Sequence, residues 1–465
     1  MRHLAALVAV TAAVYPSAEA EPEPQARSPD PHAVIDPLAR GLVASQQSSG
    51  LVIALVSEAG PPQIFAWGET ARGNGKLPDG NTVFEIGSVT KVFTSLLLAE
   101  LVVDNQLALD TPVATLLPDT KLPTGKRGIT VLDLATHTSG LPRMPNNLHP
   151  VDGHTPYADY TVTDLFGFVA TATLAHEPGT SFEYSNVGAA LLGEALAKHG
   201  RAPWDRLIAT RISGPLAMRS TMVTLSGDAQ ARLAQGYDVS GAPSAPWEMP
   251  AFVGAGALCS TAADMAVFVK AELAASHRPT SRLARAMALT QAPQRNIGDG
   301  SVGKIGLGWH IKPDGVRWHN GQTGTFHSYV AFQPARGLGV VVLANGASTY
   351  FDDLGEAATA AVLGQPIPAM FKLPVPDVPV DSKILDSYVG AYELKPSFVI
   401  TISRDGQGLS AQATGQPPFR MHATSAREFA VYVLRASLSF EVDAQGKVTA
   451  TVLHQGGKDQ RAIRR

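Results

Sequence analysis

The chain has 465 residues, 45% apolar and 17% charged, which suits a globular protein with a sizeable core and about two to four domains. Its formal net charge of −3 supplies no field toward nucleic acid or an anionic membrane, so neither is read as a partner. A single cysteine, Cys259, allows no internal disulfide, and in "GAGALCST" it reads as a small buried residue.

The N-terminus reads as an export signal over 1–20. Arg2 and His3 precede the apolar run "LAALVAVTAAVY", and "AEA" offers a small-residue cleavage site. The run is shorter than the roughly 20 residues a spanning helix needs. No later segment is long and apolar enough to span, so the mature chain is expected to be periplasmic or secreted, with no integral membrane segment. Residues 21–34, Pro-rich and polar, read as a disordered leader.

From 35 the pattern is globular. "IDPLARGLVASQQ" reads as a helix, and "LVIALVSE" and "PQIFAWGE" as strands joined at a Gly-Pro turn. The next helix is carried by "FEIGSVTKVFTSLLLAELV". Helical patterns and long loops fill about 105–300. Strands return in "LGWHIKPD", "GVRWHNG", "HSYVAFQP" and "GLGVVVLAN", followed by the helix "DLGEAATAAVLG". Strands at both ends with helices between predict an α/β (α+β) domain over 35–363. It would be one antiparallel sheet flanked by helices, with an inserted helical subdomain. A Pro-rich linker spans 364–381. Short alternating strands over 382–465 predict a small all-β domain, barrel or sandwich.

Three short motifs carry chemistry. Ser88 and Lys91 stand at i and i+3, so they share a face if Ser88 opens the helix. Gly87 suits a tight entry into it. A serine hydroxyl needs a base, and an apolar setting lowers a lysine's pKa enough to make it one. The Ser88 N–H at the helix start is half of an oxyanion hole. S-x-x-K alone recurs by chance. Ser301 to Lys304 is a second instance, in a glycine-rich stretch that reads as loop.

The second motif is Tyr184-x-Asn186, in a loop that leads into a helix. A tyrosine beside a lysine can acquire a lowered pKa and relay protons, and an asparagine amide can bind a substrate carbonyl. Either residue could equally be part of an ordinary helix cap. The third motif is His319-x-Gly321, ending a strand that would lie along a substrate. Gly321 permits close backbone approach, and the Gln322 N–H could complete the oxyanion hole. His319 could also be no more than a turn histidine.

With these motifs in order, the sequence resembles the serine β-lactamase and penicillin-binding-protein superfamily, whose related enzymes carry S-x-x-K and K-T-G motifs. The resemblance points to the class C β-lactamase branch with its D-Ala-D-Ala carboxypeptidase and esterase relatives. It extends through "ITVLDLATHTSGLP", "YSNVGAALLG", "CSTAADMAVFV" and "NGQTGTFHSYVAFQPARGLGVVVLAN". It implies Ser88 as acylated nucleophile and Lys91 as its base, alone or with Tyr184. Tyr184 would also protonate the leaving nitrogen and activate the deacylating water. Asn186 would bind the acyl amide, and the Ser88 and Gln322 N–H groups would form the oxyanion hole. No metal or organic cofactor is implied. The domain after 381 resembles the lipocalin-like C-terminal domain of some members.

Two departures stand out. His319 replaces the lysine that opens the third motif in most β-lactamases, which resembles the carboxypeptidase branch. Arg143 follows "GLP" where class C enzymes carry glutamine, and it could bind a carboxylate bidentately or be an exposed loop residue.

The expected activity is therefore an acyl-enzyme hydrolase of β-lactam amides, D-Ala-D-Ala peptide ends, or both. A carboxylesterase using the same site and a non-catalytic penicillin-binding sensor are the alternatives. No G-x-S-x-G pentapeptide supports an α/β-hydrolase. His149, Asp152 and His154 in "HPVDGH" are the only metal candidates, and they lack helical spacing.

Overall fold

The computed structural model describes residues 30–301, 303–367, 374, 376–416 and 418–465. The expected signal, residues 21–29 of the expected leader, and residues 368–373 and 375 of the expected linker lie outside these. The first helix, α1 (Pro31–Ala44), begins inside the stretch read as leader. The Asp30 side chain accepts the His32 N–H at 3.1 Å, and proline at the first position needs no hydrogen-bond acceptor.

The main sheet has eight strands: β1 (Gly50–Ser57), β2 (Gln63–Gly68), β3 (Arg295–Asn296), β4 (Lys304–Ile305), β5 (His310–Ile311), β6 (Arg317–Gln322), β7 (His327–Gln333) and β8 (Leu338–Ala344). Their spatial order is β2-β1-β8-β7-β6-β5-β4-β3, antiparallel throughout. β1 lies against β8, with Leu51 opposite Ala344. The sheet is thus closed by segments from the two ends of the domain, as the sequence pattern predicts.

"GLVIALVS" has no polar alternation because both faces of β1 are buried. Val52, Ala54 and Val56 enter one core, while Leu51, Ile53 and Leu55 enter the other. The second core is covered by α1 and by the helix Tyr350–Leu363. The first is shared with the helical subdomain and is built around α2 (Thr90–Val103). Every residue of α2 from Thr90 to Leu101 is buried. A helix apolar on all sides belongs in the middle of a core, and this places Lys91 where water does not reach.

The C-terminal part is an eight-stranded closed antiparallel barrel from Gly390 to Arg464. Its first strand, Gly390–Lys395, and its last, Lys458–Arg464, escape the sequence reading. The last is almost wholly exposed apart from Ala462, so it carries little alternation. Tyr392 opposite Arg464 closes the ring. Side chains fill the interior, with Tyr388 stacked on Phe440 at 3.9 Å. Arg435 of the barrel pairs with Asp353 at 2.6 Å, and Tyr432 meets Tyr350 edge-on.

Candidate active site

The short strand Val83–Glu85 pairs with Cys259–Thr261 and leads into a single 3-10 turn, Gly87–Val89, continuous with α2. Gly87 has φ +47°, and a Cβ there would stand 2.7 Å from the Gln322 nitrogen. Only glycine lets the turn lie so close to β6. The Ser88 and Gln322 backbones are thereby brought side by side. A Cβ on Gly321 would lie 2.0 Å from the Ile86 carbonyl oxygen, so that glycine serves the same approach.

Lys91 Nζ lies 2.9 Å from Ser88 Oγ and 2.7 Å from the Ala255 carbonyl oxygen. Burial pushes its amine well below the ordinary 10.5, and the nearby Arg143 guanidinium adds to that. A neutral amine donates a hydrogen to Ala255 and turns its lone pair to the Ser88 hydroxyl.

Tyr184 is fixed by the cap of the helix Asn186–Gly200. Ser185 Oγ accepts the Gly188 N–H at 2.8 Å and donates to the Pro142 carbonyl at 2.8 Å. The phenol hydrogen-bonds with Ser88, and its ring lies 5.0 Å from Lys91 Nζ. Its pKa is not lowered as expected. Burial pushes it up to about 12, outweighing the Ser88 bond and the Arg143 charge. Tyr184 is therefore a neutral phenol at pH 7, able to donate a proton.

Ser88, Tyr184, Asn186, Arg143 and Gln322 line a cleft of about 560 Å³. Asn186 Nδ2 contacts the Met144 sulfur at 3.2 Å, a weak acceptor and the one side-chain partner it has among the described residues. The Arg143 guanidinium lies 4.9 Å from the Tyr184 ring and pairs with no carboxylate among the described residues. The Gln322 side chain turns away to the Ala347 carbonyl at 2.7 Å, leaving its backbone toward Ser88.

His319 is fully buried, its ring 6.2 Å from Tyr184. It stands behind the cleft, whose lining includes His310 and Asn320 instead. Burial, then His310 and Lys91, hold its imidazole well below the ordinary 6.5, so it is neutral. Its Nδ1 faces the Asn320 carbonyl and therefore carries the hydrogen.

The sequence reading misses His137, whose ring is 4.4 Å from Tyr184 and whose Nδ1 accepts the Ser185 N–H at 3.2 Å. It also misses His310 and the aromatic lining of Tyr157, Phe182, Trp247 and Phe252. "THTSG" was the one available signal for His137. The others come from distant segments with no motif. Lys304 is exposed on β4 and takes no part in the cleft. Among the described residues no group of three or more His, Cys, Asp or Glu side chains could hold a metal ion, the "HPVDGH" residues included.

A buried lysine beside a serine at a helix start, on an antiparallel sheet with an inserted helical subdomain, is the architecture of one class of serine hydrolase. Comparison places the chain within that class. Residues 35–365 match the family described as Beta-lactamase, and the chain belongs to that family. Residues 375–463 match a second description, a domain of unknown function designated DUF3471.

The chain is similar to the D-alanyl-D-alanine-carboxypeptidase/endopeptidase AmpH of Escherichia coli (strain K12), 30% identical over 342 residues, covering 70% of this chain and 86% of AmpH. It is 28% identical to a β-lactamase of the same strain, covering 68% of this chain and 87% of that protein. Among solved structures, a class C β-lactamase superposes with TM-score 0.63 at 22% identity. That match covers 75% of this chain and 98% of the other, and shows the shared fold.

Proposed function

We propose that this enzyme is an exported acyl-transferring hydrolase whose substrates are β-lactam amides, D-Ala-D-Ala peptide ends, or both. The observation that carries the reading is the 2.9 Å contact between Ser88 Oγ and the buried Lys91 amine, which the Ala255 carbonyl holds and whose pKa burial lowers well below 10.5. Lys91 removes the Ser88 proton as Oγ attacks the substrate carbonyl carbon. The resulting oxyanion is held by the Ser88 and Gln322 N–H groups. As the C–N bond breaks, Tyr184 gives its proton to the leaving nitrogen and regains one from Lys91. Water then attacks the acyl-enzyme, yielding its proton to the same pair, and Ser88 is restored. Asn186 holds the acyl amide.

The test is intact-mass spectrometry of the mature enzyme with benzylpenicillin over time. A transient adduct with accumulating hydrolysed drug identifies a β-lactamase. A persistent adduct points to a carboxypeptidase, to be assayed with a D-Ala-D-Ala peptide. With neither adduct nor hydrolysed drug, the carboxylesterase reading replaces this one.

A neutral His319 gives no cation for a substrate carboxylate. Arg143 is the permanent cation in the cleft lining, and we assign it that role. Arg143→Ala is expected to raise KM for carboxylate-bearing substrates about tenfold, in line with loss of one charge-assisted hydrogen bond. KM for a neutral short-chain ester should stay within about twofold, since that substrate offers the guanidinium no charge. Equal effects on both substrates would remove Arg143 from carboxylate recognition.

A further inference from the structure

Glu85 stands three positions before Ser88 and is 4% exposed. One carboxylate oxygen accepts the Trp247 backbone N–H at 2.7 Å. The other accepts the Thr323 hydroxyl at 2.6 Å. Trp247 and Thr323 come from separate segments of the cleft lining. The two segments also lie close together, since a Cβ on Gly324 would fall 2.6 Å from Trp247 Nε1.

We propose that Glu85 is a positioning residue for the cleft: its carboxylate staples the Trp247 wall to the end of the substrate strand β6, from beneath the nucleophile turn. This builds on the active-site reading above and adds a residue to it.

The donor pattern makes the carboxylate specific. Thr323 Oγ already accepts the Phe326 N–H at 3.1 Å and the Thr325 N–H at 3.4 Å, so its own hydrogen must go to Glu85. Both Glu85 oxygens are therefore acceptors, which suits the ionised form. No cation pairs with Glu85 among the described residues, and burial pushes the carboxyl up to about 7. The titratable group facing it across the short sheet is the Cys259 thiol, itself pushed up by burial. An unpaired buried carboxylate costs stability. A glutamine could accept at one oxygen but would turn an NH₂ group toward Thr323, which has no acceptor site left for it.

The test compares wild type, Glu85→Gln, Thr323→Val and the double variant at pH 8, where the carboxylate is ionised. Hydrogen exchange is followed in peptides covering 245–249 and 323–326, and acylation is followed with a fluorescent penicillin. Glu85→Gln is expected to speed exchange in both segments about tenfold and to raise the apparent substrate constant by a similar factor. The maximal acylation rate should move much less. Thr323→Val should loosen 323–326, and it should add nothing kinetically in the Glu85→Gln background. Unchanged exchange at both segments in folded Glu85→Gln, or additive kinetic effects, would overturn the proposal. If Glu85→Gln does not fold, unchanged exchange at 323–326 in Thr323→Val overturns it. Failure of wild type to acylate would count against the proposed function, while the exchange data would still decide on the staple.

Discussion

Ser88→Ala is expected to eliminate the benzylpenicillin adduct and to lower turnover on the order of 10⁶-fold, as for nucleophile removal in other serine hydrolases. The loss should be chemical rather than structural. Ser88 sits in a turn fixed by Gly87 against the Gln322 backbone and by the buried helix that follows. Alanine keeps that geometry and removes only the oxygen that bonds Lys91 and Tyr184. The cleft should therefore still bind substrate, with an affinity that reports ground-state recognition by Arg143 and Asn186. An adduct of unchanged mass and rate in this variant would place the nucleophile elsewhere and sink the mechanism.

Lys91→Ala is expected to slow acylation roughly 10²–10⁴-fold, the range for losing a general base, while the protein remains folded. Its pH behaviour is the sharper signature. In wild type the amine must be neutral to accept the Ser88 proton, so acylation should rise with pH through a pKa well below 10.5. That rise should vanish in the variant.

Stability changes in a defined direction as well. Between the folded pKa of Lys91 and the ordinary 10.5, the unfolded chain binds a proton that the native state does not. Wild-type stability therefore increases with pH across that window. The stability difference between wild type and Lys91→Ala should shift in favour of wild type as pH is raised toward 10. Thermal melts at neutral and alkaline pH read this directly. Turnover like that of wild type in the variant would dismiss Lys91 as base.

The sequence carried the sheet because its central strands are buried on both faces. "LVIALVSE" and "GLGVVVLAN" are unbroken apolar runs bounded by turn residues, and they pair across the domain. The Ser88 to Lys91 spacing was legible for a related reason: helical geometry fixes which side chains meet one turn apart. Strands of two residues such as β3 and β4 have too little length for any period to register, whereas β5 falls within "LGWHIKPD", which reads as a strand.

The direction of the Tyr184 shift depends on burial by segments distant in sequence, and local composition does not encode that. The same holds for Glu85. In "FEIGS" it is one polar residue between two apolar ones. Its two partners lie 162 and 238 positions away.

Cys259 lies opposite Glu85 in the short sheet and is 5% exposed, with its thiol held protonated by burial. A thiol so placed is silent toward alkylating reagents until the backbone around it opens. With no second cysteine to exchange with, its labelling rate counts openings of the segment that enters the nucleophile turn. The native chain thus carries its own one-site clock for the breathing of this floor of the cleft, readable by mass as the alkyl group adds, with no engineered cysteine.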